Sequence, residues 1–465
     1  MNRRRWERWT VRHRDSLEVK LTKKDDIIPF CSGYVENMNE EGLGINVNNR
    51  PEDEDIGKHN PITIQIGGLK LHGKIVWVDS KLPLLRAGVK LLDSIPGRRY
   101  REWLAHDLCY LPDAFGGKDS VADESIPLEI KNSFERQMRY FLDTLCHLDS
   151  DMSRKDMDNL ARSQKRREFQ DKVAASVNCL ESLAKKCDRK GLLVLKKRFR
   201  LALSPWLSDN SFAKRGLDKP RGYPGDFMMM EMAYEDTAST NGGLAGEFDR
   251  LFFSKYVSVI NRKNIIVDTL RTVLREWRES RPIEILTLGG GPCREFYELE
   301  RDQSAYEWKT KITLDYLDHD DQAVEFSRRR LSGNQILLET NFFQHSLLSF
   351  GRDWGVLGGR TNYDVVYALG IADYFPDTIL VSVIAQSLSI LQQKGKLILA
   401  HKDKLRFNFS LLDWICDWTF FRRGEQDVVR LVEESIRMEA NKTFKVEIQR
   451  DSTDEIMFFM ITRTS

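Results

Sequence analysis

The chain has 465 residues, and its 72 lysines and arginines nearly cancel its 70 aspartates and glutamates, leaving a net charge of +2. That balance excludes a generally basic nucleic-acid coat, and 41% hydrophobic residues suit globular cores rather than disorder. No run approaches the roughly 20 apolar residues that span a bilayer. The N-terminus lacks the apolar core of a secretory signal, and Glu7 and Asp15 argue against an organelle transit peptide. The seven cysteines are scattered without a CxxC pair, and the eight histidines are dispersed. Free thiols in a reducing cytoplasm, with no zinc or other metal site, are therefore expected.

Residues 1–111 carry short alternating runs broken by Gly, Asn and Pro, among them "PITIQIGGLKLHGKIVWVD", and predict a small antiparallel β-barrel. "YREWLAHDL" has a helical pattern. Residues 112–126 have linker composition. Residues 127–280 form a predicted helical region. Ile130, Phe134, Met138, Phe141, Leu142 and Leu145 recur at intervals of three and four, the stripe of an amphipathic helix. The loop "KRGLDKPRGYPGDF" interrupts this region. Residues 281–465 alternate buried strands ("IEILTLGGG", "KITLDYLD", "YDVVYALG", "KGKLILAH") with helices such as "DQAVEFSRRRL" and "TILVSVIAQSLSIL". Such alternation predicts a Rossmann-like α/β sheet, mostly parallel and wound on both faces, ending in a strand pair near "TFKVEIQRDSTDEIMFFMITR".

The sharpest chemical signal is "ILTLGGGPCRE", residues 285–295, where a strand runs into three glycines. Glycine permits a tight turn and close approach of a ligand to the backbone, and the next helix offers its N-terminal amides. Asp318 then ends the second strand, where a carboxylate can accept both hydroxyls of a ribose. An adenosine-type cofactor site follows. The dinucleotide fingerprint G-x-G-x-x-G is incomplete, since positions 293 and 294 are Cys and Arg. The segment instead resembles motif I of class I S-adenosylmethionine-dependent methyltransferases, with Thr287 and Cys293 standing where that family commonly has Asp and Gly. "YDVVYALGIADYFPD" resembles the family's motif IV region. "KPRGYPGDFMMMEMAY" and "LLDWICDWTFFRRGEQDVVRLV" are similar to segments of one subgroup that pairs a helical region with a nucleotide-sensing domain and includes enzymes making methyl esters of 3-hydroxy fatty acids.

The resemblance implies S-adenosyl-L-methionine as cofactor, held by Gly289, Gly290, Gly291, Glu295, Asp318, His319 and Gly370. It implies catalytic or acceptor-side roles for Tyr223, Asp226, Asp373 and Tyr374. A helix cap at Asp226, before a helix starting at Phe227, and a similar cap at Asp373 are the plainer alternatives. His401 reads as a hydrogen-bonded strand end and the methionines at 228–232 as packing.

The opening "NRRRWERWTVR" puts Arg4 and Arg8 four residues apart, and "NMNEEG" follows at 37–42. This pairing resembles a PilZ domain, which binds the bacterial messenger cyclic di-GMP. The resemblance implies a clamp of Arg4, Arg5 and Arg8 with Asn37, Asn39 and Gly42, Asn39 replacing the usual serine. Guanidinium forks suit phosphates and guanine faces. The reading is a cyclic di-GMP-responsive methyltransferase for a small-molecule acceptor, a fatty acid carboxylate among the candidates. One alternative is a catalytically silent receptor that uses the fold as a scaffold for a protein partner. The other is a nucleic-acid methyltransferase, against which the near-neutral charge weighs.

Overall fold

Alternating β-branched runs in the first 91 residues become strands because each can turn one face inward. The computed structural model describes residues 126–465 apart from 153–157, 204–205, 208–211, 236–242, 278, 303–309, 335 and 353, and before them only seven strands. These are β1 (Trp9–Thr10), β2 (Glu18–Lys23), β3 (Cys31–Asn39), β4 (Gly42–Val47), β5 (Pro61–Ile66), β6 (Leu69–Asp79) and β7 (Leu85–Leu91). Their antiparallel pairings run β3–β2–β5–β6–β7–β4 and return to β3, so the ladder closes on itself, with β1 added alongside β3. Closure removes the open edges of a sheet. Ile45, Ile62, Ile64 and Ile75 are buried in it. Register shifts between Val35 and Asn37 and between Ile75 and Trp77 mark irregularities that help a short sheet curl. Arg4, Arg5, Arg8, the "YREWLAHDL" segment and residues 112–125 lie outside the described residues.

Packing divides the chain into two compact units, Met1–Ser208 with Gly243–Ala245, and Asp209–Gly242 with Gly246–Ser465. The expected boundary at 280/281 falls inside the second. In the first unit lie helices α1 (Leu128–Met152), α2 (Asn159–Ala184) and α3 (Arg189–Leu203). All six residues of the predicted apolar stripe of α1 are buried, and Phe141 stacks on Phe199 of α3 at 5.7 Å. Asp158 caps α2 by accepting from the Ala161 N–H at 2.7 Å.

The second unit holds α4 (Phe212–Asp218), α5 (Phe227–Tyr234) and most of α6 (Gly243–Glu276), then a seven-stranded sheet. In chain order follow β8 (Ile283–Leu288), α7 (Arg294–Arg301), β9 (Ile312–Asp318), α8 (Asp321–Leu331), β10 (Leu337–Gln344), α9 (Leu347–Phe350), β11 (Tyr363–Ala368), α10 (Asp377–Ser389), β12 (Leu391–Lys402), α11 (Phe409–Cys416), α12 (Glu425–Arg437), β13 (Phe444–Arg450) and β14 (Ile456–Arg463). The spatial order is β10-β9-β8-β11-β12-β14-β13. The first five strands are parallel, and β14 and β13 form the antiparallel end. The sheet is thus mostly parallel and Rossmann-like, as the alternation of the sequence implies.

Strand periodicity sorts the side chains onto two cores. Leu286 and Leu288 join one with α10 and α12, while Ile283 and Ile285 join the other with α6, α7 and α8. The edge strand β13 is largely exposed and carries Lys445 and Glu447, which suits an edge that must not pair further. Among the described residues, no helix is long and apolar enough to cross a membrane.

Candidate functional site

The strand order reverses between β8 and β11, and the loops leaving their carboxyl ends open at that point, where α/β sheets bind ligands. The loop after β8 is the three-glycine turn. Gly289 and Gly291 have φ of +66° and +53°, a backbone conformation that costs other residues about 1–2 kcal/mol. The Gly289 N–H donates to the Leu317 carbonyl at 2.8 Å, and the Gly291 N–H donates to Asp318 Oδ2 at 2.9 Å. The Gly291 carbonyl accepts from Tyr316 Oη and Ser327 Oγ, both at 2.7 Å. The turn is therefore tied directly to the carboxylate at the end of the neighbouring strand.

Each glycine is required for a different reason. A Cβ at Gly290 would lie 2.3 Å from Tyr316 Cε2, and one at Gly289 2.5 Å from Ile371 Cγ2. A Cβ at Gly291 would meet nothing within 4 Å, so that face is open to a ligand. Tyr316 is fully buried with its hydroxyl fastened to Gly291, so its ring cannot yield easily. Gly290→Ala should therefore cost about 1–3 kcal/mol or more by overpacking. Gly291→Ala should cost about 1 kcal/mol through backbone strain alone. Denaturant unfolding of both variants checks this; equal losses would contradict the assigned packing.

Cys293, in the left-handed region with φ +49°, precedes α7 without capping it by its side chain. Burial pushes its thiol up, so it is not a reactive thiolate. Glu295 points inward. Its Oε1 accepts from the Tyr367 hydroxyl, and burial raises its carboxyl. Asp318 is 6% exposed, and its Oδ1 accepts from the Asp320 N–H at 3.0 Å. His319 lies 3.3 Å from the same oxygen, and that contact raises its imidazole pKa.

The loop "KPRGYPGD" forms a strap. Arg221 forks onto Asp320 and also reaches Asp321, while the Tyr223 hydroxyl donates to Asp320 Oδ2 at 2.8 Å. Burial works to raise the Asp320 carboxyl, but Arg221, Tyr223 and the Gln322 N–H outweigh it and hold it at about 2. Burial, then Asp320, pushes the Tyr223 phenol up, so it remains a neutral donor. Asp226 caps α5 by accepting from the Met229 N–H at 2.9 Å, and Arg215 holds it with contacts of 3.0 and 2.6 Å. Lys219 pairs with Asp417 at 2.7 Å, and Gly225 lies so close to Trp418 that a Cβ would stand 2.2 Å from Cζ2. The strap thus fastens in its middle, through Arg221 and Tyr223, just after β9, and on both sides, through Lys219 and Gly225, to the segment after α11.

After β11, Asp373 is 1% exposed and bound to Lys402, accepting from its N–H at 3.0 Å and its Nζ at 2.7 Å. It is an ion-pair partner rather than a helix cap. Burial favours the neutral carboxyl, but the charge of Lys402, with His401, outweighs it and holds Asp373 at about 2. His401 Nδ1 lies 2.8 Å from the Lys402 carbonyl and so carries the hydrogen, leaving Nε2 to accept from Arg423 at 3.3 Å. Burial lowers its basicity. The Tyr374 hydroxyl accepts from Trp418 Nε1 at 2.7 Å, and burial pushes its phenol up. Trp418 stacks on Phe420 at 5.5 Å.

Two residues that the sequence reading did not name belong to this mouth. Lys402 ends β12 as a buried ammonium 4.8 Å from the Phe420 ring centre. Arg262, on α6, is 6% exposed and packs on Gly370. A lysine directly after the buried run "KLILAH" was the available signal for the first. Nothing in the helical pattern marks the second.

In the barrel, Asn37 and Asn39 lie at the end of β3 and Gly42 opens β4, with Asn39 opposite Gly42 in the hairpin. Thr10 pairs with Asn37 and Trp9 with Met38. The strand that follows Arg8 therefore runs beside the Asn-rich turn.

No family model matches the chain, and no curated protein matches it. Solved structures similar to it include a possible exported protein from Bordetella parapertussis, at 13% identity over 72% of this chain and 96% of that one, TM-score 0.39. Another is the magnesium protoporphyrin IX methyltransferase of Synechocystis with bound S-adenosylhomocysteine, at 12% identity over 46% and 87% of the two chains, TM-score 0.32. A third is an N-methyltransferase from Bradyrhizobium japonicum in complex with S-adenosyl-L-homocysteine, at 13% identity over 44% and 87%, TM-score 0.30.

Proposed function

We propose that the C-terminal unit is an S-adenosylmethionine-dependent methyltransferase for a small-molecule acceptor, and that the N-terminal barrel makes it responsive to cyclic di-GMP. The observation that carries the first half is the Gly291 N–H bonded to Asp318 at the reversal point of the sheet. The residues present fit the cofactor. Gly291 leaves open space where any side chain would intrude, and Asp318 keeps lone pairs for two ribose hydroxyls while bonded to Gly291 and Asp320. When bound, S-adenosylmethionine supplies an electrophilic methyl group.

The chain's own groups hold and exclude. Asp318 orients the ribose, and the glycine turn admits the backbone close to the ligand. The strap, with Tyr223 fixed to Asp320 and Gly225 against Trp418, keeps water from the mouth. Asp226 positions the strap through its cap and its Arg215 pair. None of the candidate groups is poised to remove a proton: Tyr223 and Tyr374 are pushed up, Asp226 and Asp373 are ion-paired, and His401 is buried between two partners. An acceptor that is already ionised needs no base. A carboxylate, such as that of a fatty acid, meets this condition.

For the barrel, the register of β1 beside the Asn37–Gly42 turn supports a clamp of Arg4, Arg5 and Arg8 with Asn37 and Asn39 on cyclic di-GMP. Arg8→Ala should abolish cyclic di-GMP binding and leave S-adenosylmethionine binding intact, and Asp318→Ala should weaken S-adenosylmethionine binding and leave cyclic di-GMP binding intact. Calorimetric titration of both ligands into both variants checks this. Loss of both ligands in either variant contradicts two independent sites.

A further inference from the structure

Arg262 is a buried cation without a counter-charge. Its Nε has no hydrogen-bond partner, and Nη2 reaches the Met230 sulfur at 4.0 Å. Among the described residues, no carboxylate pairs with it. Several acids of this unit are already committed. Asp373 holds Lys402, Glu231 holds Arg294 and Arg330, and Glu295 accepts from Tyr367. Burying an unpaired guanidinium is expensive, so a residue of this kind is retained for something outside the folded chain's own bonds.

Its surroundings point to the ligand mouth. A Cβ at Gly370 would lie 3.1 Å from both Arg262 Nη atoms. Gly370 is not among the described glycines with positive φ, so its backbone does not require glycine. The missing side chain instead leaves room for the guanidinium at the carboxyl edge of β11. The Tyr234 hydroxyl oxygen accepts from the guanidinium, a neutral partner that brings no counter-charge. Lys402 brings a second positive charge near, and burial together with the Arg262 charge lowers the Lys402 pKa against the pull of Asp373. Asp373 is taken up by Lys402, so two cations stand near one another here and the ion pair is made by Lys402.

We infer that Arg262 is the cation of a carboxylate-binding subsite beside Gly370, completed only when a ligand carboxylate enters. The planar fork of Arg suits a carboxylate better than a lysine would. Resting on the methyltransferase reading, the subsite has two sources to draw on: the amino-acid carboxylate of the cofactor or the carboxylate of the acceptor.

The test uses the full chain as wild type, Arg262→Met and Arg262→Lys, titrated with S-adenosylhomocysteine, 5′-methylthioadenosine and decanoate. Methylthioadenosine keeps the nucleoside and sulfur but has no carboxylate. Arg262→Met should lose about 30-fold or more in affinity for one carboxylate-bearing probe, with methylthioadenosine unchanged. A loss confined to S-adenosylhomocysteine assigns the cofactor carboxylate, and a loss confined to decanoate assigns the acceptor. Without ligand, Arg262→Met should melt no lower than wild type, because an apolar side chain replaces an uncompensated charge. Arg262→Lys keeps the charge but not the fork, so it should lose affinity for the same probe, by less than the Met variant does. Equal losses for all three probes, no loss for any, or an unliganded Met variant that melts lower would overturn the inference. Wild type binding neither nucleoside probe would instead remove the cofactor reading, leaving decanoate to decide Arg262.

Discussion

Asp373→Ala is expected to destabilise the C-terminal unit by about 3–5 kcal/mol, the cost of breaking a buried ion pair from one side. Its carboxylate is 1% exposed and takes both the Nζ and the N–H of Lys402. Removing it leaves Lys402 buried beside Arg262 with no anion at all. Asp373→Leu combined with Lys402→Met should recover most of the loss, since an apolar pair needs no desolvated charge. The acid limb of stability carries the same signature. The native Asp373 carboxyl is held at about 2, below the roughly 3.9 of an unfolded chain. The unfolded state therefore binds more protons between those values. The contribution is fully present above pH about 4 and is lost as the pH falls toward about 2. Denaturant unfolding at neutral and acidic pH measures both effects. A single variant as stable as wild type would mean the pair is not the buried lock described.

Asp318→Ala is expected to weaken S-adenosylmethionine binding by about 100-fold or more. Two ribose hydroxyls donating to a carboxylate contribute about 1.5–3 kcal/mol each, and the turn loses the anchor of its Gly291 N–H besides. Asp318→Asn keeps one acceptor oxygen but no charge, so it should fall about tenfold, between the two. Because Asp318 accepts from backbone N–H groups and has no buried cation paired to it, the melting temperature should fall less than in Asp373→Ala, which strands Lys402. Unchanged affinity in the alanine variant would place the ribose elsewhere.

What the sequence made legible follows from periodicity and from backbone need. The stripe from Ile130 to Leu145 is buried as read, because a helix at a core has one way to hide six apolar residues. "DQAVEFSRRRL" is α8 itself, started by Asp320 as cap and ended after three arginines. The glycine turn and Asp318 meet as the motif required, since positive φ and close packing both demand glycine there. β10 gave no signal: "LLETNFFQ" is an edge strand, half polar, with no alternation to detect. Lys402 and Arg262 were invisible for a different reason. A lysine or arginine reads as a solvated end until the fold closes over it, and only tertiary neighbours reveal its missing or borrowed counter-charge. Asp226 presented two readings in the sequence, and its Met229 N–H and Arg215 contacts are those of a cap and an ion-pair partner.

Titration of S-adenosylmethionine into the wild-type chain, with NADH as the competing cofactor class, tests the glycine turn most directly. Saturable binding of one S-adenosylmethionine per chain, displaced by S-adenosylhomocysteine and unaffected by NADH, is the result expected of the Gly289–Gly291 turn and Asp318. Tight NADH binding with no heat from S-adenosylmethionine would make the same turn a dinucleotide site and contradict the methyltransferase reading.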